Sequence, residues 1–326
     1  MRISKSICVC IVLGALGCAK AKDPEPARPA LAAAAEVLGT PAVVEAQELA
    51  QVASSGSFSA LTYNVAGLPE MLSRSRPSVY MPQIGKRLNR YDVVLLQETW
   101  QTPSPNPAAP LRCYHELLVA TARHRYKTPA APQPFGNDPR RPSALLADGL
   151  NVFSKFPLLT TERVPWEQCV NTFHDCYALK GFSMTPLQLA PGLSIHVYNL
   201  HMEAGWSEAD DAARDAAIDQ LLAYIDRHSR GEALIVGGDF NLRGDRERTI
   251  AQLAKLRDGA GLSDACVRCE RPRNVDKLLY RGNENIRLEA DSWRLDSAVF
   301  RDDSGDALSD HAPLAVRFKW SKRAAD

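Results

Sequence analysis

Two short strings near the C-terminal end of the chain carry residues able to do chemistry on a phosphoester. GGDFNLR (237–243) sets Asp239 and Asn241 two positions apart, just after the apolar run Ala233–Val236. LSDHAPLAVRF (308–318) sets Asp310 and His311 side by side, just before the alternating stretch Ala312–Phe318. A carboxylate and an amide at one strand end, with an Asp–His pair at another, suit attack of water on phosphorus. The aspartate offers oxygen to a metal ion and the imidazole takes a proton from water.

Three further segments repeat the pattern of a polar residue just past an apolar stretch. LTYNVAGLP (61–69) ends a strand at Asn64, DVVLLQETW (92–100) ends one at Glu98, and HVYNLHMEAG (196–205) ends one at His201. Strand ends that open into loops are where α/β proteins collect their active sites. Glu98 follows four apolar residues and Gln97, and a carboxylate there is costly unless it is paired or metal-bound. The competing readings are ordinary ones: Asn64 as a turn residue, Glu98 as a cap, Asp239–Asn241 as an Asx turn, His201 and His311 as core histidines.

The elements that must hold these residues alternate between strand and helix. Strands are expected at Ala60–Val65, Asp92–Gln97, Leu150–Ser154, Leu193–Asn199, Ala233–Val236, Val275–Tyr280, Ile286–Leu288, Arg294–Phe300 and Ala312–Phe318. Ser207 is a suitable N-cap for a helix through His228, with Glu208, Asp210 and Asp211 in its first turn and Gly231 beyond its end. Helices are also expected at Pro82–Asn89 and Arg246–Leu256, the latter stopping at Gly259, and a proline-dense loop over Pro103–Pro142. Mixed strands and helices give an α/β class.

In this order, the five segments resemble the endonuclease/exonuclease/phosphatase superfamily, which includes pancreatic-type deoxyribonuclease, exonuclease III, the inositol polyphosphate 5-phosphatases and the neutral sphingomyelinases. GDFN and SDH carry the resemblance, which spans residues 58–320; GLNVFSKFP (149–157) and NVDKLLYRG (274–282) add to it. It implies a four-layer sandwich, with two packed mixed sheets flanked by helices. It also implies Glu98 as the main metal carboxylate, with Asn64 and Asp310 beside it, hard oxygen donors that suit Mg²⁺ or Mn²⁺. His311 would be the base and Asp276 its orienting carboxylate, with Asp264 in LSDAC as an alternative. Asp239 and Asn241 would hold the water and the phosphoryl oxygens, and His201 would donate to the phosphate or the leaving oxygen. Lys155 and Lys180 resemble family positions but also read as solvated lysines; Arg243 is a further candidate for phosphate contact. Trp166 and Trp206 could rim the site or be partly buried in loops, and His174–Asp175 reads as part of a disulfide-closed surface loop.

Composition bounds the partners. The chain has 326 residues, 45% hydrophobic and 24% charged, with a net charge of +1. It therefore lacks the global basic field common in nucleic-acid binders. The N-terminus reads as an export signal over residues 1–21, with Arg2 and Lys5 ahead of the apolar run Ile7–Leu16. Ala19-Lys20-Ala21 fits a signal-peptidase site, whereas Ala15-Leu16-Gly17-Cys18 resembles a lipoprotein box that would attach the protein to a membrane through a lipid on Cys18. Of the 39 basic residues, loss of Arg2 and Lys5 leaves 37 against 38 acidic. Residues 22–57 read as a flexible Ala/Pro-rich leader, 58–320 as the phosphohydrolase domain and 321–326 as a polar tail. Export favours disulfides, and short loops favour pairing Cys169 with Cys176 and Cys266 with Cys269, leaving Cys113 free; a zinc site from the four is the competing reading.

The resemblance implies a phosphoester substrate: a phospholipid, a nucleic acid or another phosphoester. Near-neutral charge, the export signal, and the resemblance of the DKLLYRG and KGF strings to the sphingomyelinase branch favour a phospholipid. Asn274–Lys277 lacks the Cys-Asp-Arg pattern of the 5-phosphatases. A secreted or envelope nuclease is the alternative, and a non-catalytic binding lipoprotein a remote one. No protein partner is implied.

Overall fold

The computed structural model describes residues 53–70, 72–73, 75–102, 113–170, 174–266 and 274–323. The expected export signal, Cys18, most of the leader, residues 103–112 of the proline-dense loop and Cys269 lie outside them.

Two six-stranded mixed sheets pack face to face. The first takes β1 (Ser55–Asn64), β2 (Val93–Gln97), β3 (Tyr126–Lys127), β4 (Asn151–Ser154), β11 (Ile286–Leu295) and β12 (Leu314–Lys322), in the order β11-β12-β1-β2-β4-β3. The second takes β5 (Glu162–Pro165), β6 (Gly181–Ala190), β7 (Leu193–His201), β8 (Leu234–Asp239), β9 (Ser263–Asp264) and β10 (Asp276–Arg281), in the order β5-β6-β7-β8-β10-β9. Helices α1 (Pro77–Leu88) and α2 (Tyr114–Val119) cover the first sheet; α3 (Glu208–His228) and α4 (Glu247–Ala260) cover the second. The result is the expected four-layer sandwich.

Strand alternation builds it. On β1, Phe58 and Ala60 enter the core between the sheets, while Leu61 and Tyr63 pack under α1 and α2. On β2, Val93 and Leu95 face the other sheet, while Val94 and Leu96 face the helices. The second sheet mirrors this, with Ile195, Val197, Ile235 and Leu278 inside and Tyr198, Leu200, Leu234, Val236 and Leu279 against α3 and α4. The sheets close tightly at Gly237, where an added Cβ would lie 2.6 Å from Leu278 Cδ2 and 2.8 Å from Leu95 Cδ2.

Several elements depart from the sequence reading. α1 starts at Pro77 and runs through Pro82. Pro82 forfeits one helical N–H, yet burial of Met81, Ile84 and Leu88 against the sheet holds the helix together. The strand signal at 286–288 belongs to a longer strand, β11, with an irregularity between Ala290 and Ser292; it takes in only Arg294 and Leu295 of the strand expected at 294–300, and residues 296–300 form a turn instead. β1 begins at Ser55, inside the stretch read as leader, and β12 continues through Lys322. α4 passes Gly259 and ends at Gly261, which takes φ 63°. The Cys169–Cys176 disulfide is present. Cys113 is not a free thiol: it is disulfide-bonded, as is Cys266. Cys113 is also fully buried.

Candidate active site

At one end of the sandwich, the rows that face between the sheets change from apolar to polar. On β2, Val93 and Leu95 give way to Gln97; on β7, Ile195 and Val197 give way to Asn199 and His201. On β8, Ile235 gives way to Gly237 and Asp239; β10 runs the other way and starts with Asp276. Asn64 ends the matching row of β1. Register makes His201 and Asp276 the lateral neighbours of Asp239. Strand period and pairing alone thus place polar residues from five strands, distant in sequence, at one rim.

Glu98 is one residue too far along to share that row by alternation. A left-handed backbone at φ 60° turns it back toward the site. A non-glycine residue in that region costs about 1–3 kcal/mol and needs support on both sides. Thr99 supplies it, with its N–H donating to Gly149 O at 2.9 Å and its Oγ1 donating to Asn151 Oδ1 at 2.6 Å. Asn241 also takes positive φ, at 51°, in a turn closed by its own N–H on Asp239 Oδ1.

The side chains converge from both sheets. Asn64 Nδ2 donates to Glu98 Oε1 at 2.9 Å and to Asp239 Oδ2 at 3.1 Å. His201 Nε2 lies 3.3 Å from Asp239 Oδ2. His311 places Nδ1 2.9 Å from Asp276 Oδ2 and Nε2 3.7 Å from Asp239 Oδ2. Ser309 Oγ, in the loop ahead of β12, donates to Asn64 O at 2.7 Å and accepts from His311 N at 3.1 Å. Asn241 Nδ2 donates to Met202 O, so its amide is tied to the loop after β7. Asp310 points outward and is exposed, with Oδ1 3.4 Å from Ser309 Oγ. Asp276, not Asp264, faces His311; Asp264 instead accepts the Cys266 N–H.

Burial and charge set the protonation. Burial pulls the His311 imidazole down, but Asp276 and Asp239 outweigh it and hold the ring well above the ordinary histidine value. For His201, burial and the Lys180 charge outweigh the carboxylates and bring it down to about 3, so this ring is neutral. Burial raises the Glu98 carboxyl, opposed by Asn64 and Lys180. Asp239 is held below the usual range because His311, His201 and Lys180 overcome its burial.

Lys180 and Asp175 are the residues that sequence reasoning underrated. Lys180 is buried, and its ammonium lies 2.6 Å from Asp175 Oδ1. Asp175 is buried too, rather than part of a surface loop, and its Oδ2 accepts the Ala204 N–H. An apolar flank, Ala178-Leu179-Lys180-Gly181-Phe182, was the available signal. Lys155 instead pairs with Asp92 at the opposite end of the sandwich. Trp166 is buried and donates to His201 O, whereas Trp206 is 40% exposed with Arg243 and Arg246 over its ring. Arg243 pairs with Asp245.

The donor set fits a hard divalent cation. Asp239, Asp276 and His311 each offer a ligand atom, all within 4.8 Å of one another. Asp276 Oδ1 is buried without a hydrogen-bond partner, and the half-buried Glu98 carboxyl lies beside Asp239. Both observations leave carboxylate oxygens that a cation would satisfy.

The Endonuclease/Exonuclease/phosphatase family model matches residues 61–311. A sphingomyelinase of Mycobacterium tuberculosis is 33% identical over 289 residues, which cover 82% of this chain and 53% of that protein. The chain therefore spans about half the length of this curated relative. Danio rerio TDP2 complexed with a single-strand DNA product superposes with a TM-score of 0.59 at 16% identity, over 81% of this chain and 99% of that one. A mutant beta toxin of Staphylococcus aureus with bound magnesium ions gives 0.56 at 15%, over 82% and 100%. At these identities the two structures speak for the fold.

Proposed function

The chain belongs to the endonuclease/exonuclease/phosphatase family, and from that premise we propose that it is an exported, Mg²⁺-dependent phosphodiesterase acting on a sphingomyelin-like phospholipid. The observation that carries the reaction type is the Asp276–His311–Asp239 row, with one nitrogen of His311 held by a carboxylate and the other turned toward the site. The 33% identity with a protein named sphingomyelinase supports the lipid. The reading of residues 1–21 as an export signal, ending in either a signal-peptidase site or a lipoprotein box at Cys18, supports action at the cell envelope or outside it.

In this reading His311 Nε2 takes the proton of the attacking water, and Asp276 fixes the ring and holds the charge it acquires. Asp239 and Asn241 orient the water and the phosphoryl oxygens. His201, kept neutral, donates toward the phosphate or the departing oxygen. Lys180 adds a buried positive charge behind the same centre. Glu98 and Asn64, with Asp239 beside them, would hold the cation, which would supply charge to the phosphoryl oxygens and offset the carboxylates that otherwise keep His311 protonated; Asp310 points outward and stands apart from this set.

The test is a hydrolysis panel on protein lacking residues 1–21: bis(p-nitrophenyl) phosphate, sphingomyelin micelles, plasmid DNA and RNA, each with Mg²⁺ or EDTA. Release of phosphocholine with DNA intact is the expected result. Nicked plasmid with sphingomyelin untouched would make it a nuclease instead.

A further inference from the structure

Beneath the site, the two sheets are joined by hydrogen bonds between side chains that no step above uses. Gln97, the last residue of β2, sends Nε2 across to Asn199 Oδ1 at 2.7 Å, and toward Thr62 Oγ1 at 3.2 Å. Asn199, on β7 of the other sheet, sends Nδ2 back to the backbone carbonyls of Leu96 at 2.8 Å and Asn151 at 3.1 Å. One amide from the second sheet thus holds two neighbouring strands of the first. Asn151 extends the layer, with Oδ1 accepting from Thr99 Oγ1 at 2.6 Å. Gln97, Asn199 and Thr62 are fully buried, and Asn151 nearly so.

This layer brackets Glu98. Leu96, Gln97 and Thr99 are all tied into it, and Glu98 between them has the left-handed backbone. His201 is two positions beyond Asn199 on the same row. An apolar layer would let the sheets slide and settle, since burial is non-directional. Amide hydrogen bonds in a dry interior permit one spacing only, because a broken one leaves a buried polar group unsatisfied.

We propose that Gln97 and Asn199 are positioning residues, an interlock that fixes how far Glu98 on one sheet stands from His201 and Asp239 on the other. The inference rests on the phosphodiesterase reading for its activity measurement. A small misplacement of groups around a reacting phosphate costs on the order of a hundredfold in rate.

The test compares Asn199→Leu, which keeps volume and removes three bonds, with Gln97→Met, which removes the cross-sheet donor and leaves both backbone bonds of Asn199. Each is assayed on bis(p-nitrophenyl) phosphate, and Mn²⁺ affinity is measured directly by electron paramagnetic resonance. The expected result for Asn199→Leu is a fall in kcat of about tenfold to a hundredfold. KM should stay within about twofold, and Mn²⁺ binding should weaken in parallel. Gln97→Met should show the same pattern at smaller size. A lowered Tm with unchanged kcat and unchanged Mn²⁺ affinity would make the layer merely structural and overturn the proposal. If Asn199→Leu fails to fold, Gln97→Met decides alone. If the wild-type protein hydrolyses no diester, the phosphodiesterase reading fails, while the Mn²⁺ measurement still tests the interlock.

Discussion

His311 Nδ1 lies 2.9 Å from Asp276 Oδ2, across 35 residues of sequence and between the start of β10 in one sheet and the loop that feeds β12 in the other. The contact fixes the ring so that Nε2 faces Asp239. Asp276→Asn should therefore keep the fold and lower kcat by about two to four orders of magnitude, with KM little changed. Steady-state kinetics on bis(p-nitrophenyl) phosphate check it; a loss confined to KM would remove Asp276 from the proton transfer.

In metal-free protein, His311 should stay protonated to a pH well above the ordinary histidine range, because Asp276 and Asp239 outweigh its burial. Its folded value is raised. Its contribution to stability is thus fully present below the unfolded value of about 6.5 and is lost as pH rises through the folded value. The imidazole resonances in EDTA, followed by NMR, give the titration. Denaturant midpoints of wild type and His311→Gln should converge on the alkaline side. Saturating Mg²⁺ should move the titration downward.

Glu98 stands in a left-handed conformation beside Asp239, and its burial raises its carboxyl pKa. Glu98→Gly should relieve the backbone and remove a carboxylate that a cation would satisfy. We expect metal-free stability to rise by about 1 kcal/mol, while Mg²⁺ no longer protects the protein and hydrolysis is lost. Thermal melts with and without Mg²⁺ read both. Unchanged Mg²⁺ protection would show that the metal sits elsewhere.

Gly237 has no room for a methyl group between Leu95 and Leu278. Gly237→Ala should cost about 1–3 kcal/mol, and it should lower activity as well, since Asp239 is two residues along the same strand. A neutral Tm would show that the sheets can part here.

Much of this was legible because each motif is local. Asn64, Glu98, His201, Asp239 and His311 each follow or precede an apolar strand in the sequence, so strand ends and site residues are read together. The Lys180–Asp175 pair was less visible: its meaning depends on burial and on the Ala204 N–H from another loop. β6 was missed because Pro186 interrupts a run of mixed polarity, although Pro186 sits in register with His196. α2 was hidden in a segment whose prolines dominate its composition. Cys113 was misjudged because spacing ranks short loops and is blind to distant pairings.

The alternation that builds the polar rim makes the protein intolerant of a particular kind of change. Asn64, Gln97, Asn199, His201, Gly237 and Asp239 keep step with the apolar residues that precede them on the inner faces. Deleting one residue within β7 or β8 would turn every later inward side chain to the helices. The catalytic row would be lost even though each of its residues was still in the chain. Point substitutions along the outer rows leave this phase intact. Length variation should therefore be confined to the loops, and the strands should behave as a reading frame with a period of two.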